Sequence, residues 1–595
     1  MKGLLKYLRD YKVESVLGPL FKMLEASFEL FVPLVVARMI DIGIRNQDTG
    51  YILKMAGVLV LLAAIGLTCS LTAQFFAAKA AVGFSTALRN ALFAHINSLS
   101  YHEQDKIGTA TLITRMTSDV NQVQSGLNLT LRLLLRSPFI VFGAMIMAFT
   151  VDTRAAMVFT VAIPALSVVV FGIMAASMPL YKKVQRQLDQ VTRSARENLT
   201  GVRVIRAFSR QNDEMKHFEE SNDQLVKVQV FVGKISALMN PVTYVIINLA
   251  IVAVVWISGK QVDAGRITQG ETVALVNYMS QILVELIKMA NLIVSISKAL
   301  ACANRINLVF EEKTSIEDPA SCSIREGSGK SFDTAGGYQE STANTGEENS
   351  RICFSHVSFA YNGSKEDSLT DISFRAEKGQ TIGIIGGTGS GKTTLVNLIP
   401  RFYDVREGEI LLDGRDVRTW SLRELREKFG VVPQKAVLFK GTLQENMRWG
   451  KADASDEEIY EALSIAQARD FVEAKGKGLK LFIEQGGKNL SGGQRQRLTI
   501  ARALVRRPEI LIMDDSASAL DFATDARLRK AIREETRDMT VFLVSQRVAT
   551  VRGADQIIVL DDGNIAGIGT HRQLLESCQI YREICQSQLS EKEVK

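Results

Sequence analysis

The residues best equipped for chemistry form one run: Gly386, Gly387, Thr388, Gly389, Ser390, Gly391, Lys392, Thr393 and Thr394. Glycines at this density let successive backbone N–H groups curl around phosphate oxygens. Lys392 can reach the terminal phosphates of a nucleotide, and the Thr393 hydroxyl can hold a divalent cation at the start of a helix. The apolar residues 381–385 before the run read as a strand, and the segment after it opens as a helix. A phosphate-binding loop requires that context, whereas a glycine-rich turn with an accidental lysine does not. Taken alone, the run specifies nucleotide binding and nothing finer.

The elements that must position this loop divide the chain. At 595 residues it is too long for one core, and its hydrophobicity is uneven. Residues 14–300 carry repeated apolar stretches of roughly 20 residues, long enough to cross a bilayer, whereas 351–595 read as soluble α/β sequence. The formal charge of +7 is spread or lies beside the apolar stretches, with no basic stripe interleaved with aromatics, which argues against a nucleic-acid partner. The six cysteines, Cys69, Cys302, Cys322, Cys353, Cys578 and Cys585, show no paired spacing and predict neither a disulfide framework nor a zinc site. The first apolar run contains Lys22, Glu25 and Glu29, so it reads as a retained span rather than a signal peptide.

Six spans are expected near 14–42, 51–95, 127–149, 155–180, 236–258 and 271–300. Lys2, Lys6, Arg9 and Lys12 precede the first, and the connection at 181–235 is rich in Arg and Lys, so both termini and the long connections (96–126 and 181–235) are placed in the cytoplasm. Those connections are helical in pattern and read as spans extended beyond the membrane. Glu25, Glu29, Lys79, Arg132, Arg136, Glu285 and Lys288 fall within spans, where charge faces protein or water rather than lipid. Snorkelling is the simpler account for Arg136, and a Glu285–Lys288 pair one helical turn apart for Lys288. Glu25 and Glu29, four residues apart, need some compensation. Residues 313–350, rich in Ser, Gly, Thr, Glu and Asn, read as a polar linker between a membrane domain (1–312) and a nucleotide-binding domain (351–595).

Downstream of the loop come Gln434, then Leu490, Ser491, Gly492, Gly493 and Gln494, then an apolar strand ending at Asp514, then Ser518 to Asp521. In this order the motifs resemble the nucleotide-binding domain of ATP-binding cassette (ABC) transporters, and with the preceding spans the chain resembles a half-size ABC exporter along nearly its whole length. The resemblance implies an α-helical six-span transmembrane domain followed by an α/β P-loop ABC nucleotide-binding domain, in the cytoplasmic membrane, using ATP and Mg2+. It implies that Tyr361 stacks on adenine, that Gln434 touches Mg2+ and the attacking water, and that Asp514 and Thr393 hold Mg2+. Ser491, Gly492 and Gly493, with Gln494, would meet ATP held by an opposite subunit. Residues 110–119 and 197–208 resemble the two coupling helices of exporters.

Three positions depart from the pattern. The family's glutamate after the Mg2+ aspartate is Asp515, its switch histidine is Gln546, and residues 483–487 (Ile, Glu, Gln, Gly, Gly) replace the usual V-G-E-x-G. Asp differs from Glu little in acidity, but the missing methylene withdraws the carboxylate by about 1.5 Å. Gln546 can hydrogen-bond a phosphate but cannot become cationic. Together they resemble the degenerate-site half of heterodimeric bacterial multidrug exporters, which implies a second half-transporter subunit as partner, membrane lipid around the spans and a small-molecule substrate. A homodimer with slow hydrolysis and an ATP-gated regulatory or channel-like membrane protein are the alternatives.

Overall fold

The computed structural model describes residues 3–319, 350–361, 364, 366–516, 519–536 and 538–589. Most of the expected linker, 320–349, lies outside the described residues, as does Ser518. The chain forms two compact units, one of residues 1–96 with 109–312 and the other of residues 97–108 with 313–595.

The first unit is helical. Its long elements are Lys12–Arg38, Thr49–Ser98, Thr153–Thr200, Gln211–Ala237, Met239–Asp263 and Gln269–Glu311, with a further helical stretch over residues 109–151. Among the described residues, five stretches are long and apolar enough to cross a membrane: Thr49–Ser98, Thr109–Val151, Thr153–Thr200, Gln211–Asp263 and Gln269–Glu311. Lys12–Arg38 is not among them; it carries Lys22, Glu25 and Glu29 along its middle. Leu53, Val60, Leu67, Leu71 and Phe75 stand exposed along Thr49–Ser98, an apolar surface that suits lipid rather than water. Inside the unit, beside large side chains such as Phe159, Leu166, Tyr278 and Ile282, the small residues Ala26, Ala73, Ala77, Ala80, Ala144, Ala148, Ala155, Ala156 and Ala274 are almost fully buried. Small side chains let helix backbones approach closely, as helix pairs in lipid require.

Several of the charges within spans are paired, some inside one helix and some across helices. Lys22 Nζ lies 2.6 Å from Glu25 and donates to Ser70 Oγ at 3.0 Å, and Lys79 meets Glu14 at 3.0 Å. The Glu285–Lys288 pair is present at 2.8 Å. Arg136 does not snorkel: it is 7% exposed and bridges Glu29 at 2.7 Å and Glu285 at 2.8 Å. A guanidinium with two carboxylates within reach does not need the interface, and the same bridge supplies the compensation that Glu29 requires.

The expected long connections are helical, and their turns fall at Gly108 and Gly201. Residues 110–119, expected as the first coupling segment, fold within the membrane unit, whereas the short helix Tyr101–Ile107 belongs to the second unit. There the Tyr101 ring lies 5.0 Å from Phe402, and Tyr403 Oη donates to Asp105 at 2.7 Å. The second segment, 197–208, is the end of Thr153–Thr200 followed by the helix Val202–Ala207.

The second unit is built on strands β1 (Ser350–Phe359), β2 (Leu369–Glu377), β3 (Thr381–Gly386), β4 (Glu407–Leu412), β5 (Arg415–Asp416), β6 (Phe429–Val432), β7 (Gly441–Thr442), β8 (Phe482–Ile483), β9 (Ile510–Asp514), β10 (Thr540–Val544), β11 (Gln556–Asp561) and β12 (Asn564–Gly569). The four-stranded antiparallel sheet runs β2-β1-β4-β5, and the six-stranded sheet runs β12-β11-β3-β10-β9-β6. In the latter, β11, β3, β10, β9 and β6 are parallel, so their C-terminal ends open on one edge, where ligands of such sheets bind. β3, β9 and β10 are continuous apolar runs because both faces are covered. The strand carrying Asp514 is not the neighbour of β3 but lies one further along, with β10 between them.

Candidate functional site

The loop between β3 and the helix Lys392–Leu398 is shaped by contacts that only glycine allows. A Cβ on Gly386 would strike the Leu560 carbonyl and come within 2.6 Å of Ser390 Oγ. Gly391 has φ +92° and would bring a Cβ to 2.8 Å from the Ser368 carbonyl. The Lys392 ammonium turns back on this loop, donating to the carbonyls of Gly386 at 3.0 Å and Gly387 at 2.5 Å. Burial lowers its pKa, opposed by Asp515 and Asp514.

A cleft of about 460 Å3 opens at this loop. It gathers Tyr361, Thr388, Gly389, Gly391, Lys392, Thr393, Thr394, Gln434, Asp514, Asp515 and Gln546 from separate parts of the sequence. Gly386, Gly387 and Ser390 build the loop behind them without lining the cleft. Tyr361 is half-buried, held by a hydrogen bond of 3.1 Å between its hydroxyl and Thr394 Oγ1 and by edge contacts with Phe359 and Tyr403. Although β9 is two places from β3, Thr393 Oγ1 donates to Asp514 Oδ1 at 3.0 Å.

Asp515 follows in a left-handed conformation, φ +43°, with its amide bonded to the Val544 carbonyl at 2.9 Å. The backbone therefore sets the point from which its short carboxylate reaches. Burial raises the pKa of Asp514, aided by Asp515 and opposed by Thr393 and Lys392. Burial likewise raises that of Asp515, opposed by Arg547, Lys392 and a hydrogen bond with Gln434. A folded-state pKa above the unfolded value adds stability below the unfolded value and loses it as pH rises through the folded one. Both carboxylates thus disfavour the fold at neutral pH. A bound cation would relieve this, and the hydroxyl and carboxylate of Thr393 and Asp514, with the Gln434 amide on the same wall, form the hard oxygen donor set that suits Mg2+.

Ser491 to Gln494 stand apart from this cleft, at the start of the helix Gly492–Leu504. Ser491 Oγ accepts from the Gln494 amide at 3.3 Å, and Gln494 Oε1 accepts from the Ser491 amide at 3.0 Å. This reciprocal cap leaves Ser491 and Gly492 exposed at a positive helix end, a surface suited to an anion.

The cleft also takes in Ser364, Glu366, Asp367, Ser368, Asp562 and Gly563, which the sequence did not single out. Asp562 and Gly563, at φ +43° and +77°, turn β11 into β12. An Asp-Gly pair between strands is legible as a hairpin, but not as the wall of a site.

The family model of the ABC transporter transmembrane region matches residues 15–286, and that of the ABC transporter matches residues 369–518. An uncharacterized ABC transporter ATP-binding protein of Mycobacterium tuberculosis is 35% identical over 98% of this chain and 97% of its own length. The chain belongs to the ABC transporter family. An ATP-dependent lipid A-core flippase of Chromobacterium violaceum is 29% identical over 99% of this chain and 97% of its own length. The fold is similar to that of a bacterial Atm1-family ABC exporter with ATP bound, with a TM-score of 0.76 at 23% identity, covering 98% of this chain and 99% of the other. This ABC transporter is therefore a multi-pass membrane protein with a helical transmembrane domain followed by an ABC nucleotide-binding domain, and its family hydrolyses ATP to drive transport.

Proposed function

We propose that this chain is one half of a heterodimeric exporter that moves amphipathic compounds across the cytoplasmic membrane. Its own phosphate loop forms an impaired site, and its intact Ser491, Gly492 and Gly493 complete the partner's hydrolytic site. The observation that carries this reading is Asp515: its backbone is fixed by the Val544 carbonyl, and its carboxylate is one methylene short of the family's glutamate. A base must come within about 2.6–3.2 Å of the proton it takes, so a withdrawal of about 1.5 Å is decisive. Gln546, on the same cleft, cannot supply the cationic imidazole of the usual histidine.

Tyr361 stacks on adenine, the loop from Gly386 to Thr394 cradles the phosphates, and Thr393, Asp514 and Gln434 hold Mg2+, which neutralises phosphate charge. Closure of two nucleotide-binding domains over ATP moves the coupling segments and shifts the membrane cavity from inward to outward access; ATP favours the closed state only by binding it more tightly. The packing of Tyr101 and Asp105 against Phe402 and Tyr403 supports residues 101–107 as the first coupling contact. The C. violaceum flippase supports an amphipathic substrate.

The test is co-purification with a second half-transporter that carries Glu and His at the positions of Asp515 and Gln546. The pair is expected to hydrolyse ATP at least about tenfold faster than this chain alone, which binds ATP but turns it over slowly. Equal rates would leave the slow homodimer, and ATP binding with no turnover in either preparation the gated channel.

We further propose six spans, with Lys12–Arg38 the first, because its 27 residues exceed the roughly 20 that cross a bilayer and the charges along it are paired, Lys22 with Glu25 in the same helix and Glu14 and Glu29 with Lys79 and Arg136 of other helices. Both termini, the linker at 313–350 and the domain at 351–595 are then cytoplasmic. Cysteines placed at Gly50 or Asp263 are expected to react with an impermeant maleimide in intact cells, and one at Thr200 after permeabilisation only. Labelling of Thr200 in intact cells would invert the orientation.

A further inference from the structure

A cleft of about 490 Å3 in the membrane unit lies beside the Arg136 bridge, lined by Glu29 and Lys288 and by apolar residues including Val32, Val36 and Val284. On the buried side of the bridge the Glu285 carboxylate is fully engaged, whereas Arg136 Nε has no partner among the described residues. Glu285, 3% exposed, accepts from Arg136, Ser137 and Lys288, each at 2.8 Å. A staple between helices needs no more than this. Yet the side chains of Glu29 and Lys288 are 41% and 44% exposed, and both line the cleft.

Glu29 accepts from Arg136 through Oε2, and Lys288 donates one hydrogen bond, to Glu285. A carboxylate oxygen and two ammonium N–H groups therefore keep capacity for a ligand. On the same wall Gln281 Oε1 is a buried acceptor with no partner among the described residues, an arrangement that costs free energy unless something donates to it. Charge is retained at such depth for function rather than stability.

We propose that this cleft is the substrate-headgroup site and that it takes an amphiphile carrying both a primary ammonium and an anionic group. The ammonium donates to Glu29 and Gln281, the anion accepts from Lys288, and the apolar tail lies along Val32, Val36 and Val284. The four charges of Glu29, Glu285, Arg136 and Lys288 sum to zero, so a net-neutral zwitterion enters without leaving an unbalanced charge in the membrane. This inference rests on the exporter reading and names the substrate class of that transporter.

The experiment titrates the full chain with its partner, in uncharged maltoside detergent, with three probes of matched tail: lysophosphatidylethanolamine, lysophosphatidic acid and an alkylamine. The first is expected to bind at least about tenfold more tightly than either singly charged probe, as one charge-assisted hydrogen bond provides. Glu29→Gln, which keeps an acceptor for Arg136, is expected to weaken the zwitterion and the alkylamine about tenfold and to spare lysophosphatidic acid. Lys288→Gln is expected to weaken the zwitterion and lysophosphatidic acid and to spare the alkylamine. Glycerophosphoethanolamine, the headgroup without a tail, is expected to bind at least about a hundredfold more weakly than the tailed zwitterion. Equal affinity for the three amphiphiles, indifference to both substitutions, or tight binding of the tailless headgroup would each overturn the inference. ATP binding is measured on the same preparations: its loss refutes the exporter reading while the headgroup preference remains measurable, so the two failures are told apart.

Discussion

Gly492→Asp is expected to reduce the turnover of the assembled transporter by about a hundredfold or more, whereas Asp515→Ala reduces it by less than about threefold. A Cβ at Gly492 would meet its nearest neighbour, Ala519 Cβ, at 4.0 Å, an ordinary contact, so the substitution does not disturb the fold. A carboxylate in the first turn is even favourable to the isolated helix. It would, however, fill the place where the exposed helix end meets phosphate and set like charge against it. In the proposed heterodimer this signature completes the partner's site, so the loss would fall where nearly all hydrolysis occurs. On the same proposal Asp515 belongs to the other site and is short of reach from the start, so its removal would cost little. Lys392→Ala is expected to lower nucleotide occupancy at the impaired site with a smaller effect on turnover. Steady-state ATPase of the reconstituted pair separates these cases. If Asp515→Ala abolished turnover while Gly492→Asp left it unchanged, the assignment of the impaired site to this phosphate loop would be wrong, and the slow homodimer would replace it.

The sequence revealed what is fixed by local chemistry and concealed what depends on pairing at a distance. The loop from Gly386 to Thr393 was legible because phosphate binding demands those residues in that order, and β3 and β9 because a parallel sheet covered on both faces demands unbroken apolar runs. The place of β9 was not legible: strand order is a property of topology, and β10 enters the sheet between β3 and β9 although it follows both in the chain. Local sequence suggests snorkelling for Arg136 because its actual partners, Glu29 and Glu285, lie 107 and 149 residues away. Nothing in the periodicity of its own helix announces them. The contact at Tyr101–Ile107 is not legible in the sequence for a related reason. Residues 110–119 resemble a coupling helix through their own local sequence, while the packing at 101–107 is decided by Tyr101 and Asp105, whose partners Phe402 and Tyr403 are remote in the chain.

Asp515→Glu combined with Gln546→His is expected to raise ATP hydrolysis by this chain alone about a hundredfold, because a well-placed general base contributes roughly 10²–10⁴ in rate. The added methylene returns about 1.5 Å of reach while the Asp515 amide stays bonded to the Val544 carbonyl, so the carboxylate advances from an unchanged anchor. There is an opposing cost. The position has φ +43°, which aspartate tolerates better than glutamate, and the exchange is expected to destabilise the domain by about 1 kcal/mol, visible as a Tm lower by a few degrees. Gln546 is exposed, and its backbone carbonyl accepts from Gln588 Nε2 at 2.8 Å, a bond that histidine would keep, so the exchange need not rearrange the loop. Asp515→Glu alone is expected to recover about tenfold, since the base returns but the cation does not. Steady-state ATPase with purified single and double variants decides the matter. A double variant no faster than the parent would mean that reach does not limit this site, and the impairment would then have to lie in the altered residues 483–487 ahead of the signature.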